Sequence, residues 1–440
     1  MQSRIAILGA GMTGLAAGVA SGHPIYEAEE LPGGICGSYY RRPGMAGRLP
    51  DTPVDGEAYR FEVGGGHWIH SGDAVLERFI RSLAPVRSYA RQSSVYFPDT
   101  GEFVPYPLQN HLRYLPPPLT ARIIGEIVQG ANASANVTTL QEWLHASFGP
   151  TLCRLFFDPF HERYTAGLWK SIAPQDGYKS PGRLSVILQG AFGDTPPEGY
   201  NTRFMYPLDG LGALAQRMAA LADVHYRKRV VKIDVERKTG YFADGSDVRY
   251  DALISTLPLN VMTELTGVPP SSKPDPYTSV LVLNIGAVRG PRCPKDHWVY
   301  IPGSSAGFHR VGFYSNVDRS FLPASARNQG DRVSVYVEVT YGGGQRPGEG
   351  EVARLSRSVV DELQAWEWLR EIEVVDPTWI DVAYTWSWPM SPWRDEALRL
   401  LEAYEIYQVG RYARWASGMS QGIAHSMTAG FAVGAALARG

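Results

Sequence analysis

A glycine-rich turn near the N-terminus places the strongest constraint on the fold of this chain. Residues 4–8 have the apolar character of a buried strand, and Gly9, Gly11 and Gly14 follow as G-x-G-x-x-G at the start of an Ala- and Gly-rich helix. In such a turn the first glycine allows a tight bend, the second lets a pyrophosphate approach the backbone, and the third lets the helix pack on the strand. The pattern predicts a dinucleotide-binding βαβ unit.

The end of the next predicted strand supports this prediction. Glu27 follows Gly9 by 18 residues, where a carboxylate would accept a hydrogen bond from a ribose hydroxyl. A second glycine loop, with Gly33 and Gly34, comes directly after it. A glycine-rich turn that binds nothing is the alternative interpretation, and the spacing to Glu27 disfavours it.

The rest of the chain predicts two regions inserted into this unit. Helical periodicity dominates 76–205, and alternating strands dominate 266–399. Short strands around 225–256 and a final strand and helix return to the pattern of the first unit. The predicted fold class is therefore α/β, with a discontinuous Rossmann-like domain (1–75, 206–265 and 400–440), an inserted helical domain and an antiparallel β-sheet domain. A cleft between them is a common location for a small-molecule site.

Composition excludes several classes of function. The 440 residues are 44% hydrophobic and 20% charged, as in ordinary globular proteins, and the net charge of −2 without a basic run gives no sign of a nucleic-acid partner. No apolar run approaches the length of a membrane helix. Three widely spaced cysteines predict neither a disulfide framework nor a metal site and favour a cytoplasmic location. The oligomeric state stays open.

Three segments resemble a superfamily of FAD enzymes that includes amine oxidases, protoporphyrinogen oxidases and UDP-galactopyranose mutases. They are the E-x(5)-GG arrangement from Glu27 to Gly34, DALISTLP at 251–258, and the C-terminal VGRYARWASGMSQGIAHSMTAGFAVG. The resemblance implies bound FAD, held by the glycines and Glu27 named above. Further cofactor contacts would come from residues later in the chain: Val230, Gly410, Met419 and Ser420.

Other motifs resemble the mutases in particular, and in places their eukaryotic branch. FEVGGGHWIHS would place Gly65, Gly66 and His67 against the flavin, and PYPLQN would hold the nucleotide base through Tyr106 and Gln109. WVYIP and FHRVGFYSN resemble a strand pair that grips the substrate diphosphate. The resemblance implies catalytic roles for His67, Arg183 and Arg310. It implies substrate contacts from His70, Tyr106, Gln109, Asn110, Tyr300, Asn316 and Trp388.

The reaction implied by this resemblance is the interconversion of the pyranose and furanose forms of a nucleotide-linked hexose. Reduced flavin would attack the anomeric carbon and displace the nucleoside diphosphate, and an external reductant such as NADPH would activate the enzyme. UDP-galactose is the family's substrate. A GDP-hexose such as GDP-galactose is a second candidate, because three tyrosines of the family pattern are replaced by Val317, Trp388 and Ser417.

Alternative functions and roles stay open at this point. An amine oxidase, desaturase or protoporphyrinogen-type oxidase would share the FAD motifs, and a GDP-dissociation inhibitor would share the fold without flavin. His67 and His70 also suit structural roles, and Arg310 suits a surface position. Tyr106 and Gln109 could pack a loop. The tryptophans at 386, 388 and 393 favour the core somewhat over a sugar-binding platform.

Overall fold

A computed structural model describes residues 4–130, 137–174, 182–195, 198, 202–416 and 422–438. Its strands are β1 (Ile5–Leu8), β2 (Ile25–Tyr26), β3 (Ser38–Arg41), β4 (Tyr59–Glu62), β5 (Val86–Ala90), β6 (Ser93–Phe97), β7 (Glu102–Pro105), β8 (Arg203–Pro207), β9 (Val224–His225), β10 (Val230–Asp234), β11 (Thr239–Phe242), β12 (Asp247–Arg249), β13 (Ala252–Ser255), β14 (Tyr277–Arg289), β15 (Trp298–Tyr300), β16 (Arg310–Phe313), β17 (Arg332–Gly342), β18 (Leu369–Thr385) and β19 (Ile406–Gln408). Its α-helices are α1 (Met12–Ser21), α2 (Ala74–Leu83), α3 (Pro117–Gly130), α4 (Leu140–Leu152), α5 (Asp158–Tyr164), α6 (Leu184–Phe192), α7 (Leu211–Ala219), α8 (Leu259–Thr266), α9 (Tyr314–Val317), α10 (Glu349–Ala365), α11 (Trp393–Glu402) and α12 (Ile423–Leu437).

A parallel sheet joins the two ends of the chain. Its strand order is β19-β13-β1-β2-β9, and each neighbouring pair runs parallel. The N-terminal strand β1 therefore lies between β2 and β13, and β13 is more than 200 residues away in the chain, as the discontinuous Rossmann-like fold requires. The predicted α/β fold class is confirmed.

The last helix packs against the first at very short range. A Cβ atom on Gly430 would lie 2.2 Å from the carbonyl oxygen of Thr13, and one on Gly434 would lie 2.5 Å from that of Ala17. Only glycine permits this separation, so the small residues of α12 are explained by its contact with α1. The contact fixes the start of α12 near the end of β1.

Strands β10, β11 and β12 form a separate antiparallel sheet beside the parallel one. A turn at Asp244–Gly245 connects β11 to β12, with Gly245 at a φ of 85°. The sequence pattern places the strands of 225–256 in the nucleotide-binding unit. Of these strands, β9 and β13 join the parallel sheet, whereas β10, β11 and β12 pair with one another in a separate three-stranded layer.

A seven-stranded mixed sheet dominates the rest of the fold, in the order β18-β14-β17-β16-β15-β6-β7. Most of it comes from the segment predicted to be antiparallel. Strands β6 and β7 come from the segment predicted to be mainly helical, and β6 joins the edge by pairing parallel with β15. Helical periodicity in the surrounding residues concealed these two short strands.

The helices α3 to α6 cover one end of this sheet around a core of Leu, Ile, Phe and Trp side chains. Thr139 and Glu142 cap the start of α4 reciprocally, as in a capping box. The helix bends at Gly149 and Pro150, and a π-helical turn over Cys153–Phe157 leads into α5. No helix among the described residues is both long and apolar enough to cross a membrane.

Candidate active site

The first glycine turn leaves open space at the start of α1. Gly9 has a φ of 93°, and a Cβ on Gly14 would lie 1.9 Å from the carbonyl oxygen of Gly9, so both positions need glycine for the fold itself. A Cβ on Gly11, which caps α1, would meet no atom within 4 Å. Gly11 is therefore not required by packing, and the space beside it suits a bound group.

The second glycine loop and the end of β2 border the open space beside Gly11, and we call this site the cradle. The amide of Gly33 donates to the carbonyl of Ala10 at 2.8 Å. A Cβ added to Gly34 would lie 3.8 Å from the Cα of Gly11. The buried carboxylate of Glu27 accepts a hydrogen bond from the amide of Ala10 at 2.6 Å. Both glycine loops and the acidic residue therefore meet at one point, as the sequence predicted.

The later predicted cofactor residues lie in different surroundings. Gly410 has a φ of 98°, and its Cβ would lie 2.6 Å from Oγ1 of Thr13 on α1. Val230 is half-buried at the start of β10 and packs against the cluster that includes Leu8. Met419 and Ser420 lie outside the described residues. Their roles stay predictions.

A cavity of about 540 Å³ adjoins this cradle. The amide of Gly64, on its wall, donates to the carbonyl of Ile35, which follows the second glycine loop. The large sheet, the segment after β4, the helices α4 and α5, and the start of α12 form the remaining walls. The cavity brings together the predicted residues Gly66, His67, His70, Tyr106, Gln109, Tyr300 and Arg310.

One row of the large sheet forms a wall of the cavity. Tyr300 pairs with Arg310, Arg310 with Glu338, and Glu338 with Val282, on four neighbouring strands. Residues directly opposite each other in a sheet point to the same face. All four side chains consequently line the cavity.

Glu338 holds the guanidinium of Arg310 in this row. Its buried carboxylate accepts a hydrogen bond from Nη2 of Arg310, and it lies 3.3 Å from Nε2 of His309 and 3.4 Å from the hydroxyl of Tyr384. Burial alone would raise the pKa of Glu338, but Arg310 and His309 outweigh it and lower this pKa to about 2. The carboxylate is thus ionised and fixes one edge of Arg310.

The backbone of the segment after β4 packs closely against the wall that the large sheet forms. Gly65 has a φ of 78°, and a Cβ on Gly66 would lie 1.9 Å from the hydroxyl oxygen of Tyr336. Nδ1 of His67 lies 3.3 Å from the carbonyl of Gly65, which can only accept, so Nδ1 is the donor and Nε2 the acceptor in the neutral ring. The glycines bring His67 to the cavity edge.

Both histidines of this segment are neutral at ordinary pH. Burial and the nearby charge of Arg411 together lower the pKa of His67 to about 4. Burial likewise lowers the pKa of His70 to about 4, and Nδ1 of His70 lies 3.2 Å from the carbonyl of Arg203. These imidazoles therefore add polar atoms to the cavity without adding charge.

The lining of the cavity around Tyr300 is mostly aromatic. Tyr106 and Tyr300 approach with ring centroids 4.6 Å apart, and Gln109 is buried beside them. Helices α4 and α5 and the π-helical turn between them contribute Leu140, Trp143, Phe156, Phe157, Phe160, His161 and Tyr164. Flat apolar surfaces with a few polar atoms suit a planar ring such as a nucleobase.

Four predicted site residues do not line the cavity. The side chain of Arg183 is exposed and paired with Glu198, which also accepts a hydrogen bond from Nδ2 of the buried Asn110. Asn316 bonds to Arg289 and to the carbonyls of residues 294 and 296, and Trp388 donates to the carbonyl of residue 274. Their contacts are with other parts of the protein, so the catalytic role of Arg183 and the substrate-binding roles of Asn110, Asn316 and Trp388 stay predictions.

Of the positions where the family pattern has a tyrosine, Val317 is buried in the core. The tryptophans at 386 and 393 are also buried, as the core interpretation of these residues expects. Ser417 lies outside the described residues. Other tyrosines nevertheless line the cavity: Tyr106, Tyr164, Tyr300, Tyr384 and Tyr412.

Sequence reasoning missed several charged and polar residues of the cavity. Arg411 donates to the carbonyl of Ala383 at 2.8 Å, and its position directly after Gly410, in a segment already singled out, was the available signal. Arg203 and Glu338 have no motif around them. Glu338 could have been found only from its alternation with apolar residues along β17, where a charge on the buried face is unusual.

A possible metal-ligand group lies outside the cavity. Ligand atoms of His145, Cys153 and Asp158 come within 4.8 Å of one another. Nε2 of His145 already lies 2.9 Å from the Asp158 carboxylate. That hydrogen bond explains the grouping, and we assign no metal to it.

Comparison with known proteins shows the family of the chain. Residues 24–288 match the model of the flavin-containing amine oxidoreductases. The chain belongs to this family. It is accordingly a flavin-dependent enzyme of an oxidoreductase family, for which FAD is the implied cofactor.

Solved structures of this family and fold extend the comparison. A reduced UDP-galactopyranose mutase superposes with a TM-score of 0.82 at 22% identity, covering 98% of this chain and 94% of that one. A cyclohexylamine oxidase from Brevibacterium oxydans gives 0.60 at 12% identity, covering 100% and 99%. A CLA-producing fatty acid isomerase from P. acnes gives 0.59 at 15% identity, covering 97% of each chain. At these identities the likeness shows a shared fold.

The residues present fit the cofactor that the family implies. The cradle at Gly11 is open, the helix N-terminus beside it offers free amide donors for a pyrophosphate, and Glu27 lies where a ribose hydroxyl would be held. Gly66 and His67 border the cavity next to this cradle. FAD bound along the two glycine loops would therefore reach the cavity from the side of Ile35.

Proposed function

We propose that this protein is a nucleotide-sugar mutase, which interconverts the pyranose and furanose forms of a hexose linked to a nucleoside diphosphate. The charge of the cavity is the observation that supports this proposal most directly. Three guanidinium groups, of Arg203, Arg310 and Arg411, and one carboxylate, of Glu338, are the charged groups among its described lining residues. The described lining thus carries two net positive charges, which suits a diphosphate anion.

The same charge disfavours the main alternative within the family. Amines are protonated at neutral pH, and two net positive charges in a site of low dielectric repel them. An amine oxidase site would need carboxylates or an aromatic cage around the amine. Aromatic rings line one wall here, but Arg310 lies on the sheet wall, Arg411 on the segment before α12 and Arg203 at the start of β8.

The residues of the cavity have separate roles in this proposal. Reduced FAD, when bound, supplies the nucleophile for the anomeric carbon of the sugar. Arg310 stabilises the negative charge that develops on the departing diphosphate, through charge-assisted hydrogen bonds. Glu338 keeps Arg310 in place, and Arg411 adds positive charge beside His67. His67 is neutral, so its Nε2 can accept a hydrogen bond near the reacting atoms.

The remaining walls hold the substrate and restrict water. In this proposal Tyr106 and Gln109 hold the nucleotide base, and the paired rings of Tyr106 and Tyr300, with centroids 4.6 Å apart, support it as a stacking surface. The apolar side chains of α4 and α5 exclude water from the sugar and diphosphate, so the leaving group stays close while the ring recloses. UDP-galactose and GDP-galactose are the two substrates we consider first, and an external reductant such as NADPH would activate the enzyme.

Turnover of nucleotide sugars by the reduced protein tests this function. Dithionite-reduced protein is incubated with UDP-, GDP- and dTDP-linked hexoses, and the products are separated by chromatography. A furanose isomer formed only with reduced protein supports the proposal. If no nucleotide sugar is converted, and amines bleach the oxidised flavin without added reductant, the oxidase alternative is correct.

A further inference from the structure

The turn between β15 and β16 leads directly into Arg310. Tyr300 ends β15 and Arg310 begins β16, and the two residues pair across the hairpin. The amide of Ile301 donates to the carbonyl of residue 309 at 2.9 Å, which closes the hairpin beside this pair. The conformation of the turn at 302–308 therefore sets where the backbone of Arg310 starts.

A buried carboxylate on α10 fixes this turn. Oε2 of Glu362 accepts hydrogen bonds from the hydroxyl of Ser304 at 2.9 Å and from the amide of Ala306 at 2.8 Å. Oε1 of Glu362 accepts a third hydrogen bond, from the amide of Ser305 at 2.8 Å. Glu362 and Ser304 are both buried. Three successive residues of the turn thus bond to one side chain of a distant helix.

Helix α10 packs on the face of the large sheet that is opposite the cavity. Its Val359 and Leu363 share a core cluster with Val311, the residue that follows Arg310. Successive residues of a strand point to opposite faces of the sheet. The described residues that line the cavity include none from α10. Glu362 therefore lies behind the cavity wall, and any influence on a bound ligand passes through the turn.

The same turn is attached to the helical wall of the cavity. The carbonyl of Ser304 accepts a hydrogen bond from Nη2 of Arg163 on α5 at 3.0 Å, and Nη1 of Arg163 donates to the carbonyl of Pro159 in the same helix at 3.0 Å. Inside the cavity, the rings of Phe160 and Tyr300 meet edge to face with centroids 5.5 Å apart. Ser304 thus joins two helices, since its hydroxyl bonds to α10 and its carbonyl to α5.

The chemistry of Glu362 suits a rigid support. Burying a carboxylate is costly unless hydrogen bonds replace the lost water, and three donors do so here. Hydrogen bonds to an ionised acceptor are shorter and stronger than neutral ones, so the turn is held in one conformation. Without the carboxylate, the amides of Ser305 and Ala306 and the hydroxyl of Ser304 would lose their partner.

We propose that Glu362 is a positioning residue, which fixes the turn at 302–308 and thereby places the guanidinium of Arg310 against the ligand. This inference rests on the proposed function, in which Arg310 acts on the departing diphosphate. A misplacement of about 1 Å can lower the rate of an enzyme by about 100-fold. Because Arg310 acts on charge that develops in the transition state, its misplacement lowers kcat more than it raises KM.

Kinetics and ligand binding of Glu362→Gln test this role. The control is Asp361→Asn, which neutralises the adjacent exposed carboxylate of α10. We expect Glu362→Gln to lower kcat for the nucleotide sugar by about tenfold or more, with KM within about threefold of the wild type. We expect it to weaken binding of inorganic pyrophosphate by about threefold or more. Asp361→Asn should leave both quantities unchanged.

A milder variant covers the case in which Glu362→Gln does not fold. Ser304→Ala removes one of the three hydrogen bonds and leaves both amides bonded to the carboxylate. We expect it to lower kcat by about two- to fivefold. If Ser304→Ala is the only folded variant and its kcat equals that of the wild type, the turn does not position Arg310.

Combination with Arg310→Gln separates positioning from a merely structural role. Residues that act through one another have non-additive effects, whereas the fold-changes of independent residues multiply. In the Arg310→Gln background we expect Glu362→Gln, or Ser304→Ala in its place, to change kcat and pyrophosphate affinity by less than about twofold. A substitution that lowers stability towards urea and keeps its full effect in that background would be structural, and the positioning role would be wrong.

The outcomes distinguish this inference from the proposed function. If the wild type converts a nucleotide sugar and Glu362→Gln behaves like Asp361→Asn, the role of Glu362 is wrong and the mutase function stands. If the wild type converts none, yet Glu362→Gln and Arg310→Gln are non-additive in pyrophosphate binding, the positioning role stands and the mutase function is wrong. If they are additive there, or if the wild type does not bind pyrophosphate, a wild type without turnover overturns both.

Discussion

Arg310 and Glu338 lie directly opposite each other on β16 and β17, and their side chains form an ion pair in the wall of the cavity. Glu338 is buried and Arg310 is only partly exposed, so each charge depends in large part on the other for its solvation. Burial lowers the pKa of Arg310 in isolation, but Glu338 more than compensates and raises it well above its usual value. This arrangement presents a fixed, permanently charged guanidinium to the cavity.

Removing that guanidinium should impair turnover. We expect Arg310→Gln to lower kcat/KM for the true substrate by about 30- to 1,000-fold, which corresponds to a loss of about 2–4 kcal/mol of transition-state stabilisation. The matched control is Arg332→Gln on β17, where the arginine pairs with Glu373 and does not line the cavity. Equal kcat/KM values for the two variants would show that Arg310 does not act on the diphosphate.

Gly66 and Gly72, both in the segment between β4 and α2, provide a test of the packing around the cavity. Gly66→Ala would bring a methyl group to 1.9 Å from the Tyr336 hydroxyl, so we expect a loss of about 1–3 kcal/mol in the free energy of unfolding. Gly72→Ala also borders the cavity, but its Cβ would meet no atom within 4 Å. Urea unfolding of both variants checks the difference. A Gly66→Ala protein as stable as Gly72→Ala would contradict the described contact.

The cradle at Gly11 gives a prediction for cofactor binding. Gly11→Ala adds a methyl group to space that the protein leaves open, so we expect a folded protein that retains less FAD. Gly14→Ala, by contrast, would clash with the carbonyl of Gly9 and should destabilise the domain itself. Flavin absorbance and far-UV circular dichroism, measured on both variants, separate the two effects. Full FAD retention by Gly11→Ala would place the pyrophosphate elsewhere.

Buried histidines predict a dependence of stability on pH. His67 and His70 have pKa values of about 4 in the folded protein, below the usual value of about 6.5. Between these values the unfolded chain binds more protons than the folded one, so stability is present above pH 6.5 and falls as the pH drops towards 4.

Each histidine contributes up to about 1.4 kcal/mol per pH unit to this fall. Urea unfolding at a series of pH values should therefore show a shallower slope for His70→Gln than for the wild type over this range. Identical slopes for the two proteins would contradict the burial of a neutral His70.

The local motifs were predictable because their chemistry is local. Gly9, Gly11 and Gly14 act through the backbone of one turn, and Glu27 ends the adjacent strand, so spacing along the chain was enough to place them together. His67 and Arg310 were found from resemblance, and the structure brings both to one cavity.

The cross-strand and long-range relationships were not accessible in the same way. Glu338 meets Arg310 only because β16 and β17 pair in one register, and a shift by one residue would turn Glu338 to the opposite face. Arg203 lines the cavity from the start of β8, a strand held by its pairing with β5. Asn316 and Trp388 were assigned from short matches, and their side chains bond to nearby backbone in the described structure.

The proposed pyranose–furanose interconversion uses reduced flavin without consuming it. The most direct measurement follows flavin absorbance near 450 nm and sugar products in one anaerobic reaction, with pre-reduced protein and UDP- or GDP-galactose. We expect many turnovers to the furanose form while the flavin stays reduced. A protein that forms no furanose, and whose oxidised flavin is instead bleached by an amine in stoichiometric amount, would contradict it.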